Sequence, residues 1–320
     1  MKPRRNCEVT EVREYGSAAG TEDTLSGKYE KLKEHLASFG SLAVAFSGGV
    51  DSAFLLYTAR EALGDKLLAV TVSSCFNPER ELAEAREFCS ERKIPMLVLQ
   101  EDVLRIEGIV RNPKDRCYLC KRALFGRILA AAEENGLNAV AEGSNVDDTG
   151  DYRPGMKALA ELGIRSPLRE CGFTKQEIRA LSKRFALPTW DKQSFACLAS
   201  RFPYGEMISE EKLAMTGRAE QYLLDLGFRQ LRVRVHESAA AQDHSGEEHP
   251  CHYLARIELL PQDFARSMEE ETRTKIYDAF REIGFAYTAL DIRGYRTGSM
   301  NEVLEGISGK AEETGTEQKD

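Results

Sequence analysis

The chain has 320 residues, 42% of them hydrophobic and 30% charged, with a formal net charge of −8. This is a globular composition with length for one large or two moderate cores, and the acidic balance argues against a nucleic-acid partner. No apolar run could span a bilayer, and Met1–Asn6 is basic without the apolar stretch of a secretory signal, so a cytoplasmic protein without a membrane partner is expected.

Residues 1–26 lack sustained periodicity and are expected to form a flexible lead. Helix and strand then alternate. The pattern predicts a helix over 29–39, a strand over 42–46 and a helix over 51–63, then a strand over 67–72 and a helix over 78–91. A third strand is predicted over 96–99, a helix over 114–135 stopped by Asn135-Gly136, and a fourth strand over 138–141. Such alternation implies an α/β fold with a parallel sheet and helices on both faces, where ligands bind beyond the carboxyl ends of the strands.

Residues 142–155 and 165–168 read as irregular and polar, followed by a helix to Phe185 with Thr174 as its N-cap. From about residue 204 the pattern changes. It gives a long helix over 210–226, alternating strands over 231–236 and 254–258, an exposed polar insertion over 237–250, a helix over 273–283 and a strand over 286–292. The expected organisation is a parallel-sheet α/β domain over 27–203, a small α+β domain over 204–305 serving substrate binding or oligomerisation, and a flexible tail over 306–320.

Ser47-Gly48-Gly49-Val50-Asp51-Ser52 lies between the first strand and its helix. A helix N-terminus leaves backbone N–H groups unpaired and carries the positive end of the helix dipole. Gly48 and Gly49 let the backbone curl around an oxyanion, Ser47 and Ser52 add hydroxyl donors, and Asp51 suits a magnesium ion held against phosphates. No Gly-Lys-Ser/Thr follows, so this is not the Walker pattern. It resembles the pyrophosphate loop of the N-type ATP pyrophosphatases, which split ATP into AMP and pyrophosphate. Gly143 and Asn145 leave the fourth strand at the same sheet edge and would form a second wall of the nucleotide site.

The eight cysteines stand at 7, 75, 89, 117, 120, 171, 197 and 251. Without an export signal they do not suggest a disulfide framework, and most are expected to be small buried hydrophobes, Cys75 and Cys89 among them. Cys117 and Cys120 form a Cys-x-x-Cys near a helix start. A redox dithiol, half of a zinc site, two ligands of an iron–sulfur cluster, or two unrelated core cysteines all fit that spacing. Cys197, in Ala196-Cys197-Leu198-Ala199-Ser200-Arg201, is a third candidate thiol.

These segments together, with Gly143–Asp148, Gly150–Gly155 and Arg165–Leu168, resemble the LarE family from about residue 27 to about 300. The resemblance implies a PP-loop, adenine nucleotide alpha hydrolase-like fold and an ATP-dependent sulfur transferase. Its substrate is pyridinium-3,5-biscarboxylic acid mononucleotide, which it adenylates and converts to thiocarboxylates for the nickel-pincer nucleotide of lactate racemase. ATP and Mg2+ are implied. Single-cysteine members sacrifice the sulfur of the cysteine matching Cys197, whereas three-cysteine members hold a four-iron cluster. Cys117, Cys120 and Cys197 match the second type, with Cys197 as the catalytic position.

By the same resemblance, Ser200 and Arg201 are expected to bind the substrate phosphate and Tyr118 to stack on the pyridinium ring. Arg232 and Arg234, two residues apart on one strand face, would clamp substrate anions. Glu220 and Glu258 are expected as metal or substrate ligands. A homo-oligomer is expected. The alternatives are sacrificial use of Cys197, and a tRNA thiolase or ammonia-dependent amide ligase of the same superfamily.

Overall fold

A computed structural model of the chain describes residues 18–149, 154–193, 196–238, 241–242, 248–249 and 252–296. Residues 1–17 of the expected lead, the whole expected tail, Asp151–Arg153, Cys7, Cys251 and much of the 237–250 insertion lie outside the described residues. Helix α1 (Ala18–Ala37) begins well before the predicted Tyr29. Tyr29, Leu32 and Leu36 are buried at helical spacing, and once a packed segment has nucleated a helix, extending it over Ala18 and Ala19 is easy.

Strand β1 (Leu42–Ala45) leads into α2 (Val50–Leu63), β2 (Leu67–Ser73), α3 (Glu79–Glu91), β3 (Met96–Gln100), α4 (Arg116–Glu134) and β4 (Ala139–Ala141). The four strands are parallel in the order β3-β2-β1-β4, with Leu42 paired to Leu67 and to Ala139. Next come α5 (Pro154–Glu161), α6 (Pro167–Glu170) and α7 (Lys175–Arg184). Side chains alternate across β1. Leu42 and Val44 pack with α1, α2, α3 and α7, whereas Ala43 joins Ile128 and Ala132 of α4 and Leu159 of α5 on the other face. Helices therefore cover both faces, as the alternating pattern predicted. In α2, Phe54, Leu55 and Leu56 are all fully buried, each contributing about 1.5–3 kcal/mol of burial, so the helix that opens the glycine loop is firmly held.

The second half contains α8 (Glu210–Asp225), β5 (Leu231–Glu237), β6 (Ala241–Gln242), β7 (Glu248–His249), β8 (Tyr253–Leu259), α9 (Phe264–Met268), α10 (Glu270–Ile283) and β9 (Tyr287–Leu290). Its three-stranded sheet runs β5-β8-β9, with β5 and β8 antiparallel and β8 and β9 parallel. The short β6–β7 pair is the hairpin within the insertion. Leu231, Val233 and Val235 join Leu213, Leu223 and Phe280 in a core that also takes in Phe76, Val103 and Ile109 from the first half. No helix of the described residues is long and apolar enough to cross a membrane.

Candidate active site

The glycine loop turns where β1 ends. Gly48 has φ 72°, in the left-handed region that favours glycine, and Gly49 precedes α2 without a side-chain cap. The leading N–H groups of α2 therefore remain for a ligand. Ser47 Oγ lies 3.1 Å from Ser52 Oγ, and Ser52 Oγ donates to the Gly49 carbonyl at 3.1 Å. Val50 is buried and anchors the turn. The Lys192 ammonium donates to the Gly48 carbonyl at 2.9 Å and pairs with Glu84 at 2.6 Å.

The β4 loop presses on this turn. A Cβ on Gly143 would lie 2.8 Å from the Ser52 nitrogen and 3.1 Å from the Asp51 carbonyl carbon, so only glycine fits without moving backbone. Asn145 Nδ2 reaches Asp51 Oδ1 at 3.3 Å, and the Lys175 ammonium pairs with Asp51 Oδ2. Burial pushes the Asp51 carboxyl above its ordinary range, against the opposing pull of Lys175 and with a further push from Asp148. Glu142 accepts from Ser144 at 2.7 Å and Ser166 at 2.5 Å and so fixes the loop's exit.

One cavity of about 2080 Å³ contains Ser47, Asp51 and Gly143 in its wall together with Cys117, Cys197 and Arg234. Ser200 and Arg232 also line it, and Val70, Val72, Phe125, Ile128 and Met156 give it an apolar sector. The glycine loop and two of the three candidate thiols thus face one space.

The Cys197 segment is held by three arginines acting on its carbonyls. Arg201 Nη1 donates to Ala196 O at 2.6 Å and Cys197 O at 3.1 Å, Arg116 Nη1 to Ala199 O at 2.8 Å, and Arg234 Nη1 to Ser200 O at 2.6 Å. The Leu198 N–H donates to Phe76 O at 2.9 Å, tying the segment to the loop between β2 and α3. Arg116 also bonds Asn112 and approaches Cys117 Sγ at 3.9 Å. It stands next to the Cys-x-x-Cys, but a lone arginine gives no sign in sequence that it will be buried, and reasoning from sequence missed it.

Several predicted ligands stand elsewhere. Arg201, 1% exposed, does not line the cavity: its guanidinium pairs with Glu220 at 2.8 and 2.7 Å, and Glu220 also accepts the Val233 N–H at 2.9 Å. Glu258 is fully buried between Arg234 at 2.9 Å and Arg256 at 3.3 Å, and it too is absent from the cavity wall. Both carboxylates are consumed by arginines, since a buried charge needs a partner. The Tyr118 hydroxyl donates to Glu161 at 2.7 Å, away from the cavity. Arg232 keeps its predicted face, with Nη2 3.3 Å from the Tyr295 hydroxyl.

Burial pushes the Cys120 thiol up to about 12, with further upward contributions from Cys197 and Cys117. Cys120 and Cys197 pack against the same core and Cys117 and Cys197 line the same cavity, and thiol donors suit a thiolate-bound group. Among the described residues, no three His, Cys, Asp or Glu side chains already form a metal-binding group.

No protein-family model matches the chain. An uncharacterised protein of Synechocystis is 38% identical over 281 residues, covering 88% of this chain and 99% of its own length. The pyridinium-3,5-bisthiocarboxylic acid mononucleotide synthase of Lactiplantibacillus plantarum is 34% identical over 282 residues, 88% of this chain and 96% of its own length. A subunit of the glutamine-hydrolysing GMP synthase of Archaeoglobus fulgidus is 27% identical over 160 residues, 47% of this chain and 52% of its own.

Proposed function

The chain belongs to the LarE family, that of the pyridinium-3,5-bisthiocarboxylic acid mononucleotide synthase, and on that premise we propose that it uses ATP to turn the carboxylates of pyridinium-3,5-biscarboxylic acid mononucleotide into thiocarboxylates. The product would serve the nickel-pincer nucleotide. The observation that carries this reading is the single cavity joining the glycine loop to Cys117 and Cys197. Residues 27–203 would bind ATP, and 204–305 would contribute the strand arginines.

The purine would enter the apolar sector at Val70, Phe125 and Ile128. The α2 N-terminus, Ser47 and Ser52 would hold the departing pyrophosphate, with Mg2+ at Asp51. A substrate carboxylate attacks the α-phosphorus and the bond to the β-phosphate oxygen breaks, giving acyl-adenylate and pyrophosphate. Fixed donors that neutralise charge on the leaving group are the protein's main contribution to such a step. Arg232, Arg234 and Ser200 would hold the substrate's own phosphate. Sulfur then attacks the acyl carbon and AMP leaves.

Cys117, Cys120 and Cys197 would hold a four-iron cluster, which when bound supplies the sulfide. The second reading is sacrifice of the Cys197 sulfur itself, favoured by the fact that Cys120 stays off the cavity wall. The test is anaerobic reconstitution with iron and sulfide, on the wild type and on Cys117→Ala, Cys120→Ala and Cys197→Ala. Cluster absorbance in the wild type and its loss in each variant supports the first reading. No cluster, together with loss of hydrogen sulfide from the chain's intact mass after one turnover, supports the second.

A further inference from the structure

We propose that Lys175 is a phosphate-binding residue that holds the place of a divalent cation at Asp51: the cation displaces its ammonium, which then binds the triphosphate. The inference rests on the reading that this cavity takes metal-bound ATP.

The start of α7 is fixed. Thr174 and Glu177 form a reciprocal capping box, Lys28 pairs with Glu177 at 2.7 Å, and the Lys175 N–H donates to Asp147 Oδ2 at 2.7 Å. The backbone of Lys175 is thus pinned, and its four-carbon side chain, lining the cavity, is the part that can move. Its ammonium sits on Asp51 Oδ2, on the carboxylate a magnesium ion would take.

Asp51 lies in the first turn of α2, beside the donors that would receive phosphate oxygens. An uncompensated carboxylate there would repel a triphosphate. Asp148 adds a further negative charge beside Asp51. A divalent ion held by the Asp51 carboxylate would put two positive charges where the ammonium puts one, which would favour a triphosphate at this turn. Once it enters, the ammonium loses its partner next to the newly bound anion.

The neighbouring cations are engaged differently. Arg179 donates to Trp190 O at 2.7 Å and Lys192 O at 2.8 Å, and Lys192 is held by Gly48 O and Glu84. Lys175 differs in sitting on the carboxylate that the metal would claim.

The test measures Mn2+ binding by the full chain without nucleotide, and α,β-methylene-ATP binding with Mn2+ present. Lys175→Gln is expected to bind Mn2+ alone about tenfold tighter and the ATP analogue at least tenfold weaker, as loss of a charge-assisted bond requires. Lys175→Arg, which keeps the charge, should restore most of the analogue affinity. In the wild type, lysine acylation read by mass spectrometry should rise at Lys175 with Mn2+ alone and fall when the analogue joins it. A merely structural lysine would weaken both affinities together. Unchanged or weaker Mn2+ binding by the variant, or Lys175 reactivity unmoved by either ligand, overturns the inference while leaving ATP use intact. A wild type that binds no ATP analogue overturns both.

Discussion

Replacing Glu220 by Gln separates the buried role found for Arg201 from a role in binding substrate. Glu220 and Arg201 are 4% and 1% exposed, joined by two bonds of 2.8 and 2.7 Å. Gln keeps the shape and one acceptor for the Val233 N–H, but it strands the guanidinium charge in the core. Removing one partner of a buried pair costs about 3–5 kcal/mol, and the retained acceptor argues for the lower end. At about 2–4 °C per kcal/mol for units of this size, the melting temperature should fall by roughly 6–12 °C. Thermal unfolding followed by circular dichroism measures this. Arg201 also holds the Ala196 and Cys197 carbonyls but makes no hydrogen bond to the glycine loop, so the sulfur step should slow while ATP binding persists. A melting temperature within about 2 °C of wild type, with a raised KM for the mononucleotide, would refute the argument and return Arg201 to the substrate phosphate.

Gly143→Ala must push backbone atoms of Asp51 and Ser52 that a new Cβ would meet at 2.8–3.1 Å. It should cost about 1–3 kcal/mol of stability and weaken ATP binding at least tenfold by calorimetry. Glu170 is pushed up by burial, but bonds from Arg165, the Ser166 N–H and His35 prevail and hold its carboxyl at about 2. A depressed carboxyl stabilises the fold above its unfolded pKa, and that gain disappears as pH falls toward 2. Glu170→Gln should therefore lose about 1 kcal/mol at pH 7 after solvent screening, and the gap in urea midpoints should narrow between about pH 5 and pH 3. Cys120, held at about 12, should resist iodoacetamide up to about pH 10 in the metal-free chain, as peptide mapping would show.

The sheet and the nucleotide loop were legible because local patterns determine them. Short apolar runs, helix periodicity and a glycine turn all agree, and the predicted Thr174 cap is present, with Glu177 completing a reciprocal box that the sequence reading did not include. Helix α5 was not legible. Pro154-Gly155 reads as a turn, yet proline is tolerated in a first helical turn, and Gly155 lets α5 approach α4, where a Cβ would lie 2.7 Å from Lys121.

The charged residues divided on the same principle. Arg232 and Arg234 reach the cavity because strand alternation sends them there while Val233 enters the core. Arg201, Glu220 and Glu258 look like free ligands in sequence, but their partners come from other elements, which only the tertiary fold brings together. Lys175 and Arg116 escaped notice for the same reason.

The central claim is delivery of sulfur onto an adenylated carboxylate, and mass spectrometry of the small-molecule product tests it most directly. The purified chain, reconstituted anaerobically, receives Mg2+, ATP, pyridinium-3,5-biscarboxylic acid mononucleotide and sulfide. The account predicts pyrophosphate release that depends on the mononucleotide and a product in which sulfur replaces carboxylate oxygen, with the product lost in Cys197→Ala. Pyrophosphate release without sulfur in the product, or an amide formed with ammonia and unaffected by Cys197→Ala, would contradict it.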